Sequence, residues 1–330
     1  MGKDLKKYLY QLLFKLSAEE KREIISFLEG KGPETGQNLC SIIEEIRKRR
    51  FKNGYHCPHC ESSMVVRFGI YCKRQRYLCK RCRKTFTDIT STALNHIHSK
   101  DKFITSADLM LSGSTLKKIA EELDINIATA FSWRHKVLDT VANIEDDSLQ
   151  GIVEADDTFF LASRKGERNI NRKPRKRGGS SKKRGISTDQ VCVLVARDRD
   201  NRTITDVATF GRISRNNINR LLGDKISKNS MLLTDRHPSF GSFAKHKNLN
   251  YMALDLDKGR RSIKGIYHIQ NVNAYHSRLK NWMARFKGVA TKYLRNYLHW
   301  FEFVDTVLKD KTLEAARRDL MLGACSVKVV

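Results

Sequence analysis

Hydrophobic positions change their spacing near residue 150, which divides the chain into two kinds of structure. Before this point, outside a cysteine-rich segment, apolar residues recur every three or four positions and predict helices. Beyond it, the apolar runs "GIVEAD", "QVCVLVARD", "TITDVATF" and "SMLLTD" predict strands, and "SRNNINRLLGD" and residues 269–286 predict helices. Strands that alternate with helices predict a mixed α/β domain over residues 150–330.

The segment "STLKKIAEELDINIATAFSWRHKVLDTV" predicts two helices joined by a tight turn at residues 124–126. The inward positions are Leu116, Ile119, Ala120 and Leu123 in the first helix and Ala130, Trp133 and Val137 in the second. This is a helix-turn-helix pattern, with an Asp where a Gly often makes the turn. A plain helical hairpin is the alternative.

The second of these helices is predicted to face DNA. Its outward residues are Thr129, Ser132, Arg134, His135 and Lys136. This mixture of side chains can read base edges and bind phosphates in the major groove.

Two of the predicted strands end in a carboxylate. Asp156 closes "GIVEAD" and Asp235 closes "SMLLTD". A strand end is a common position for a metal ligand, because the strand fixes the backbone while the side chain opens into a cleft. A single such Asp would be interpreted as a turn former or a helix cap, whereas two of them favour a cation site.

The helix predicted at residues 269–286 has two distinct faces. Its apolar face consists of Val272, Tyr275, Leu279, Trp282 and Phe286. Asn273, Ser277 and Lys280 share an adjacent polar stripe, since residues four and seven apart lie on one side of a helix. One side of this helix is thus predicted to pack and the other to reach a cleft.

Four of the eight cysteines form two knuckles. They are Cys57, Cys60, Cys79 and Cys82. The pairs "CPHC" and "CKRC" are separated by 18 residues, a spacing typical of four thiolates around a tetrahedral Zn²⁺. The segment is too polar to fold on apolar burial alone, so we predict a zinc ribbon at residues 51–90. His56 and His59 are alternative ligands.

The charge of the chain indicates a polyanionic partner. The 330 residues include 63 Lys and Arg against 36 Asp and Glu, a formal charge of +27, and phosphate contacts release condensed counterions. Residues 258–301 contain ten Lys and Arg and no acidic residue, so we expect this stretch to contact DNA. No apolar run has the length of a membrane span and no signal-peptide core is present, from which we expect a cytoplasmic protein.

Two segments leave alternatives open. The basic, Gly and Ser-rich insertion at about residues 163–188 is either a DNA backbone contact or a solvated loop. Residues 1–50 predict one or two amphipathic helices, which either pack on the protein or mediate self-association.

The motifs, taken in order, resemble those of a known family. They are "CPHC", "RQRYLCKRC", "KTFTDITST", the helix-turn-helix, "VEADDTFF", "LTDRHPSF" and "YHIQNVNAYHSRLK". Together they are similar to bacterial insertion-sequence transposases of the DDE type with an N-terminal zinc ribbon, a group related to the eukaryotic Merlin transposons. The resemblance implies a multidomain chain: a helical region (1–50), the ribbon (51–90), a helix-turn-helix domain (91–145) and an RNase H-like catalytic domain (150–330).

The resemblance also implies the site residues. The first metal-binding Asp of the family maps to Asp156 and the second to Asp235; the third ligand, usually Glu, maps to Asn273, with Lys280 downstream. The departure at Asn273 matters, because an amide oxygen can bind Mg²⁺ but brings no charge and cannot act as a base. Glu302, in the apolar "HWFEF", is interpreted as a structural residue and is the first substitute to test.

The implied reaction is two-metal phosphoryl transfer on double-stranded DNA. Mg²⁺ or Mn²⁺ held by Asp156, Asp235 and Asn273 would activate water to cut at the terminal inverted repeats, and then the freed 3′-hydroxyl to attack target DNA. Lys280 would hold a phosphate nearby. The expected setting is a homo-oligomer on DNA in the bacterial nucleoid.

Two other functions stay open at this point. One is a catalytically inactive, transposase-derived regulator that binds DNA through the ribbon and the helix-turn-helix alone. The other is a structure-specific nuclease on the same fold, which would not need to recognise terminal repeats.

Overall fold

The computed structural model describes residues 35–72, 74–141, 148–170, 179, 181, 183–254, 262–310, 315, 318 and 320–323. The chain forms two compact units, Met1–Thr105 and Ser106–Val330. Residues 1–34, which carry most of the predicted N-terminal helices, and residues 171–178 of the basic insertion lie outside the described part. Within that part, no helix is both long enough and apolar enough to cross a membrane.

The first unit combines a helix with the cysteine-rich segment. It contains α1 (Thr35–Arg50) and a three-stranded antiparallel sheet of β1 (Val65–Tyr71), β2 (Arg74–Cys79) and β3 (Thr85–Phe86). Asp88 is only 1% exposed and accepts from Arg47 of α1 at 3.3 Å and from Arg74 of β2 at 3.0 Å. These ion pairs tie the helix to the sheet because a buried carboxylate is stable only when its charge is compensated.

The two helices of the predicted helix-turn-helix are present and follow helix α2 (Lys100–Leu111). They are α3 (Leu116–Glu122) and α4 (Ile127–Val141). Thr115 caps α3 by accepting from the Lys118 N–H, and Asp124 takes a left-handed conformation, φ 47°, in the turn. Asp is among the few residues that adopt this conformation readily, so it can replace the expected Gly. Both helices lie in the second compact unit, together with the large sheet.

A mixed five-stranded sheet forms the centre of the second unit. Its strands are β4 (Ile152–Leu161), β5 (Gln190–Asp198), β6 (Thr203–Phe210), β7 (Met231–Asp235) and β8 (Asn250–Leu254). Their order is β6-β5-β4-β7-β8, with antiparallel pairing among β4, β5 and β6 and parallel pairing of β7 with both β4 and β8. The predicted mixture of strands and helices and the four predicted strands are confirmed.

Helices cover both faces of this sheet. Helices α5 (Arg215–Leu222) and α6 (Pro238–Lys247) pack on one face, where Val153, Leu232 and Phe240 share a buried apolar cluster. Helices α7 (Gln270–Ala284) and α8 (Thr291–Asp310) lie on the other. Successive side chains of a strand point to opposite faces, so Glu154 and Asp156 of β4 point toward α7.

Strand β4 is longer than the sequence predicted. The prediction that Asp156 closes the strand is wrong, because β4 continues to Leu161 through antiparallel pairing of residues 156–161 with β5. Its parallel neighbour β7 ends at Asp235. Asp156 therefore lies inside β4, beside the position at which the neighbouring strand β7 ends. No pattern in the sequence had indicated β8, α6 or α8.

Candidate active site

The four predicted zinc ligands come together in the first unit. Their sulfur atoms all lie within 4.8 Å of one another, with Cys57 Sγ 3.6 Å from Cys82 Sγ and Cys60 Sγ 3.6 Å from Cys79 Sγ. Backbone N–H donors, chiefly that of Cys82, lower the pKa of Cys79 to about 6, which favours the thiolate that binds metal. The cluster could hold a metal ion, and it contains neither of the two alternative histidines.

The predicted acidic pair also comes together, in the second unit. Strands β4 and β7 pair in parallel with Glu154 opposite Leu233. Asp156 and Asp235 each lie two residues further along, so both project from the same face of neighbouring strands, which are about 4.8 Å apart. The backbone of His237 donates to Asp235 Oδ1 at 3.0 Å and holds that carboxylate at the end of β7.

Asp156 has a strongly shifted acidity. Burial, followed by the negative charges of Asp235 and Asp157, raises its pKa to about 7, while the Asp157 N–H at 2.9 Å and the positive charge of Lys280 oppose the shift. Burial and nearby negative charges both disfavour the ionised form of a carboxyl group. The donor set therefore fits a divalent metal ion, which would relieve the repulsion.

This shift makes the stability of the cation-free protein depend on pH. The folded pKa of Asp156, about 7, exceeds its usual 3.8, so the folded chain retains a proton that the unfolded chain loses and stability falls as pH rises between those values. This loss of free energy of unfolding is at most about 4 kcal/mol. We expect the Tm without Mg²⁺ or Mn²⁺ to fall from about pH 4 to about pH 7, and Asp156→Asn to remove that part of the fall. An equal decrease of the Tm with pH in Asp156→Asn and in the parent would contradict the raised pKa of Asp156.

Histidine 276 of α7 is a member of the site that the sequence analysis missed. Its Nδ1 lies 3.6 Å from Asp156 Oδ2, and its Nε2 is buried without a hydrogen-bond partner among the described residues. Burial and the charge of Lys280 lower its pKa to about 4, so the imidazole is neutral. The signal was available, because His276 is three residues from Asn273 and four from Lys280 and so borders the polar stripe.

Asn273 and Lys280 are both exposed on α7. The backbone N–H of Asn273 donates to Ile269 O at 3.2 Å, and its carbonyl accepts from Ser277 Oγ at 3.2 Å, so its amide side chain is not needed for these contacts. Lys280 acts electrostatically on Asp156. Glu302 is buried on α8, and its charge adds to the effect of burial, which is the main cause of the raised pKa of Tyr275. Its position fits the structural interpretation.

Buried Glu154 fixes the start of α7 to the strand that carries Asp156. Its carboxylate accepts from the backbone N–H groups of Asn271 (2.8 Å) and Val272 (3.0 Å) and pairs with Arg199 at 2.9 Å. His268 Nδ1 lies 3.4 Å away. The first N–H groups of a helix have no partner within the helix, so Glu154 satisfies them and orients α7 toward Asp156. An acid within the otherwise apolar "GIVEA" was the signal that could have identified it.

Loss of this carboxylate is expected to weaken the second unit. We expect Glu154→Ala to lower the free energy of unfolding by about 3–5 kcal/mol, because it leaves a charged partner and two buried donors uncompensated. Glu154→Gln keeps one acceptor oxygen and should lower the free energy of unfolding by a smaller amount. The comparison is Asp224→Asn, which removes an exposed pair with Lys247 and should leave urea unfolding unchanged. Equal midpoints for Glu154→Ala and the parent would refute the capping role.

Asp157, the acidic neighbour, faces the other side of the sheet. Its Oδ2 accepts from Cys192 Sγ at 3.3 Å, and Cys192 belongs to the apolar cluster beneath α5 and α6. Burial raises the pKa of Asp157. Asp157 therefore affects Asp156 through its charge but does not share its face.

Helix α4 presents fewer of the predicted DNA-facing residues than expected. The prediction that Arg134 faces outward is wrong. This residue is 1% exposed, its side chain donates to Ser114 O at 2.6 Å, and its guanidinium lies 5.2 Å from the centre of the Trp300 ring of α8. The ring of His135 also packs inward, 4.1 Å from that of Tyr293. The physical reason is that α4 has a second packing partner, α8, which the helix-turn-helix pattern could not indicate.

The other three predicted residues are more accessible. Ser132 is exposed, and Thr129 and Lys136 are half-buried. They remain the candidates on α4 for contact with DNA.

The basic stretch at residues 258–301 is only partly available for DNA. Arg278 forms two hydrogen bonds of 2.8 Å with Asp305, and Arg295 pairs with Asp206 at 3.1 Å. The absence of acids in the local sequence was therefore misleading for these two side chains, since their partners come from elsewhere in the chain. Lys280 and Lys287 are exposed beside a cavity of about 820 Å³.

Two comparisons with known proteins relate this chain to mobile DNA elements. Residues 148–305, which contain the site, match the ISXO2-like transposase domain. A relative from Halobacterium salinarum, named as an uncharacterized protein in the transposable element ISH50, is 26% identical over 284 residues, which cover 85% of this chain and 94% of the relative. These two similarities support an insertion-sequence transposase.

Two solved structures show a weaker similarity. A pre-cleavage Mos1 transpososome is 10% identical, with coverage of 67% of this chain and 78% of that chain and a TM-score of 0.21. The Mos1 mariner paired end complex with Mn is 11% identical, with coverage of 92% and 95% and a TM-score of 0.20. Similarity at this level carries no argument about the site.

Proposed function

We propose that this protein is a DNA transposase that binds the ends of its element, cuts them and joins the 3′ ends to target DNA. The observation that carries the proposal is the paired carboxylates Asp156 and Asp235, whose mutual repulsion contributes to a pKa of about 7 for Asp156. A divalent cation bound between two such carboxylates would stabilise both in the ionised form. The strand order β6-β5-β4-β7-β8, with only β4, β7 and β8 parallel, supports an RNase H-like catalytic domain.

The donor atoms suit Mg²⁺ or Mn²⁺, which prefer oxygen ligands. Asp156 and Asp235 would hold the cations, and the amide oxygen of Asn273 would be a further ligand. When bound, two such ions stabilise charge on the attacking and leaving oxygens of a phosphodiester. Cleavage and joining use the same chemistry, because water and a 3′-hydroxyl attack phosphorus in the same way.

The residues around the carboxylates would position the DNA. Lys280 lies close enough to Asp156 to lower its pKa, so a phosphate at the carboxylates would meet an ammonium group on the α7 side. Glu154 holds the start of α7 against β4 and so keeps Lys280 in register with Asp156. Transition-state positioning of this kind depends on rigid supporting contacts.

DNA recognition is assigned to the ribbon and helix α4. Residues 57–86 contain eight Lys and Arg and one acid, and a Zn²⁺ bound by the four cysteines would hold this basic module folded. On α4, Ser132, Thr129 and Lys136 would contact double-stranded DNA, including the terminal repeats. A homo-oligomer that holds two ends together is part of the proposal, as joining requires both ends.

A catalytically inactive DNA-binding regulator is the second candidate. Asn273 favours it, since an exposed neutral amide stands where the resembling family usually has a Glu. Such a regulator would bind the same DNA but would not need the half-buried, mutually repelling pair Asp156 and Asp235.

The test is a cleavage assay with DNA that flanks the gene. Purified full-length protein is mixed with a labelled duplex that carries the element boundary, with Mg²⁺, with Mn²⁺ or with EDTA. A transposase cuts at the boundary only when a cation is present. Specific binding without cutting in any of these conditions would favour the regulator, and cutting that ignores the boundary would favour a structure-specific nuclease.

A further inference from the structure

We infer that His276 is a direct ligand of the divalent cation held by Asp156, so that the site contains an imidazole in addition to the two carboxylates and the amide of Asn273. The inference rests on the proposed function, because that proposal places the cation at Asp156. It adds a nitrogen ligand that neither the motif pattern nor the oxygen preference of Mg²⁺ would suggest.

The distance between the two side chains fits a shared cation better than a direct contact. His276 Nδ1 and Asp156 Oδ2 are 3.6 Å apart, which is too long for a hydrogen bond. Two atoms that each bind one ion at about 2.1 Å with an angle near 90° are separated by about 3 Å. A small rotation of either side chain would reach that separation.

The hydrogen bonding of the ring differs from that of an ordinary core histidine, and a cation bound at Nδ1 would leave the Nε2 atom as it is. The side chain of His276 is 10% exposed, and its Nε2 has no hydrogen-bond partner in the part of the chain that the structure describes. Buried polar atoms are normally satisfied. His268, on the same segment, shows the ordinary case, since its ring nitrogens contact Arg199 and Glu154.

The position of His276 on α7 explains how an Asn can be tolerated at residue 273. The two residues are one helical turn apart, and His276 is the one that lies against Asp156. A ligand from the next turn of the same helix would replace the carboxylate that Asn273 lacks. Because imidazole is neutral, this site would carry one negative charge fewer than three carboxylates, and its nitrogen would favour a transition metal over Mg²⁺.

Electron spin echo spectroscopy of bound Mn²⁺ can detect the ligand directly. Full-length protein without a histidine tag would be loaded with less than one equivalent of Mn²⁺, and modulation from an imidazole ¹⁴N would be recorded. We expect the modulation in the parent and its loss in His276→Asn, whose shorter amide keeps polarity near the Nδ1 position. We also expect the Mn²⁺ affinity to fall by about tenfold or more. Loss of a contact that only supports a metal ligand already lowers the affinity by about tenfold, and loss of a ligand should lower it at least as much.

Two further variants separate the possible results. His299→Asn removes an equally buried imidazole from α8 (10% exposed) and should keep the modulation. Asp156→Asn should abolish tight Mn²⁺ binding in every case. Because His276→Asn could perturb folding, His276→Asp provides a second test: it should also lose the ¹⁴N signal but bind Mg²⁺ more tightly relative to Mn²⁺ than the parent does.

The outcomes bear on the two proposals differently. Mn²⁺ that binds through Asp156 without ¹⁴N modulation, or modulation that survives in folded His276→Asn, would overturn the assignment of His276 and leave the transposase proposal intact. Failure of the parent to bind Mn²⁺ through Asp156 would overturn both.

Discussion

Asp156→Ala and Asp235→Ala are each expected to reduce cleavage and joining of DNA ends by about 10³-fold or more while binding of the same ends is retained. Each substitution removes a negative charge from the paired carboxylates that we propose as metal ligands. Bound cations contribute several kcal/mol to stabilisation of the transition state, and each loss of about 1.4 kcal/mol is a tenfold decrease in rate. Binding should persist because the basic ribbon and helix α4 do not use these carboxylates.

The matched comparison is Asp157→Ala, which removes an acid of similar burial from the opposite face of β4. It should lose far less activity than Asp156→Ala.

Asn273→Ala should give an intermediate result, because a neutral ligand contributes less than a charged one, and Asn273→Asp or Asn273→Glu should preserve activity. Rates from a labelled-end assay, on variants shown to be folded by circular dichroism, provide the comparison. Full activity of folded Asp235→Ala would exclude it as a ligand.

Combined Cys79→Ser and Cys82→Ser substitutions are expected to remove one zinc per chain and to unfold the ribbon. Structural zinc sites contribute about 10–16 kcal/mol of apparent binding free energy, far more than the small aromatic cluster around Tyr77 and Phe86 can supply. Metal analysis would measure zinc, and limited proteolysis would report new cleavage within residues 57–86. Loss of the ribbon should also weaken DNA binding.

Cys72→Ser is the matched control for that experiment. Cys72 lies in the same module but is exposed and is not a member of the four-cysteine cluster. Its variant should keep zinc, protease resistance and DNA binding. Retention of a full equivalent of zinc by the double variant would refute the ligand assignment.

Local patterns predicted those parts of the structure that depend on neighbouring residues. The spacing of Cys57, Cys60, Cys79 and Cys82 was sufficient because two short knuckles and a hairpin bring thiols together wherever they occur. The alternating and apolar runs located β5, β6 and β7, since each strand is buried over most of its length. Helices α3 and α4 followed from periodicity.

The errors arose where the environment of a residue depends on distant parts of the chain. Arg134 was predicted to face outward, but its side chain is buried between Ser114 and Trp300 of α8. The end of β4 was placed too early because its last residues pair with β5 rather than with β7. Arg278 looked uncompensated because its partner, Asp305, lies 27 residues away on another helix.

The site itself was predicted in part. Asp156 and Asp235 share one face of the sheet, which the strand pattern alone could not guarantee. His276 was overlooked because it neighbours Tyr275 of the apolar face, and a helical pattern does not show which strand lies opposite. Glu154 was overlooked because its role is to support α7.

The most direct test of the central claim is the joining of a pre-cut DNA end to a plasmid. Purified protein is mixed with Mg²⁺ or Mn²⁺, supercoiled plasmid and a labelled duplex that ends in the 3′-hydroxyl of the element boundary, or in a 3′-dideoxy nucleotide at the same position. The account predicts covalent transfer of label to the plasmid from the 3′-hydroxyl end alone, and none with EDTA or with Asp156→Ala. Specific binding of both ends with no transfer from either, in both cations, would contradict it.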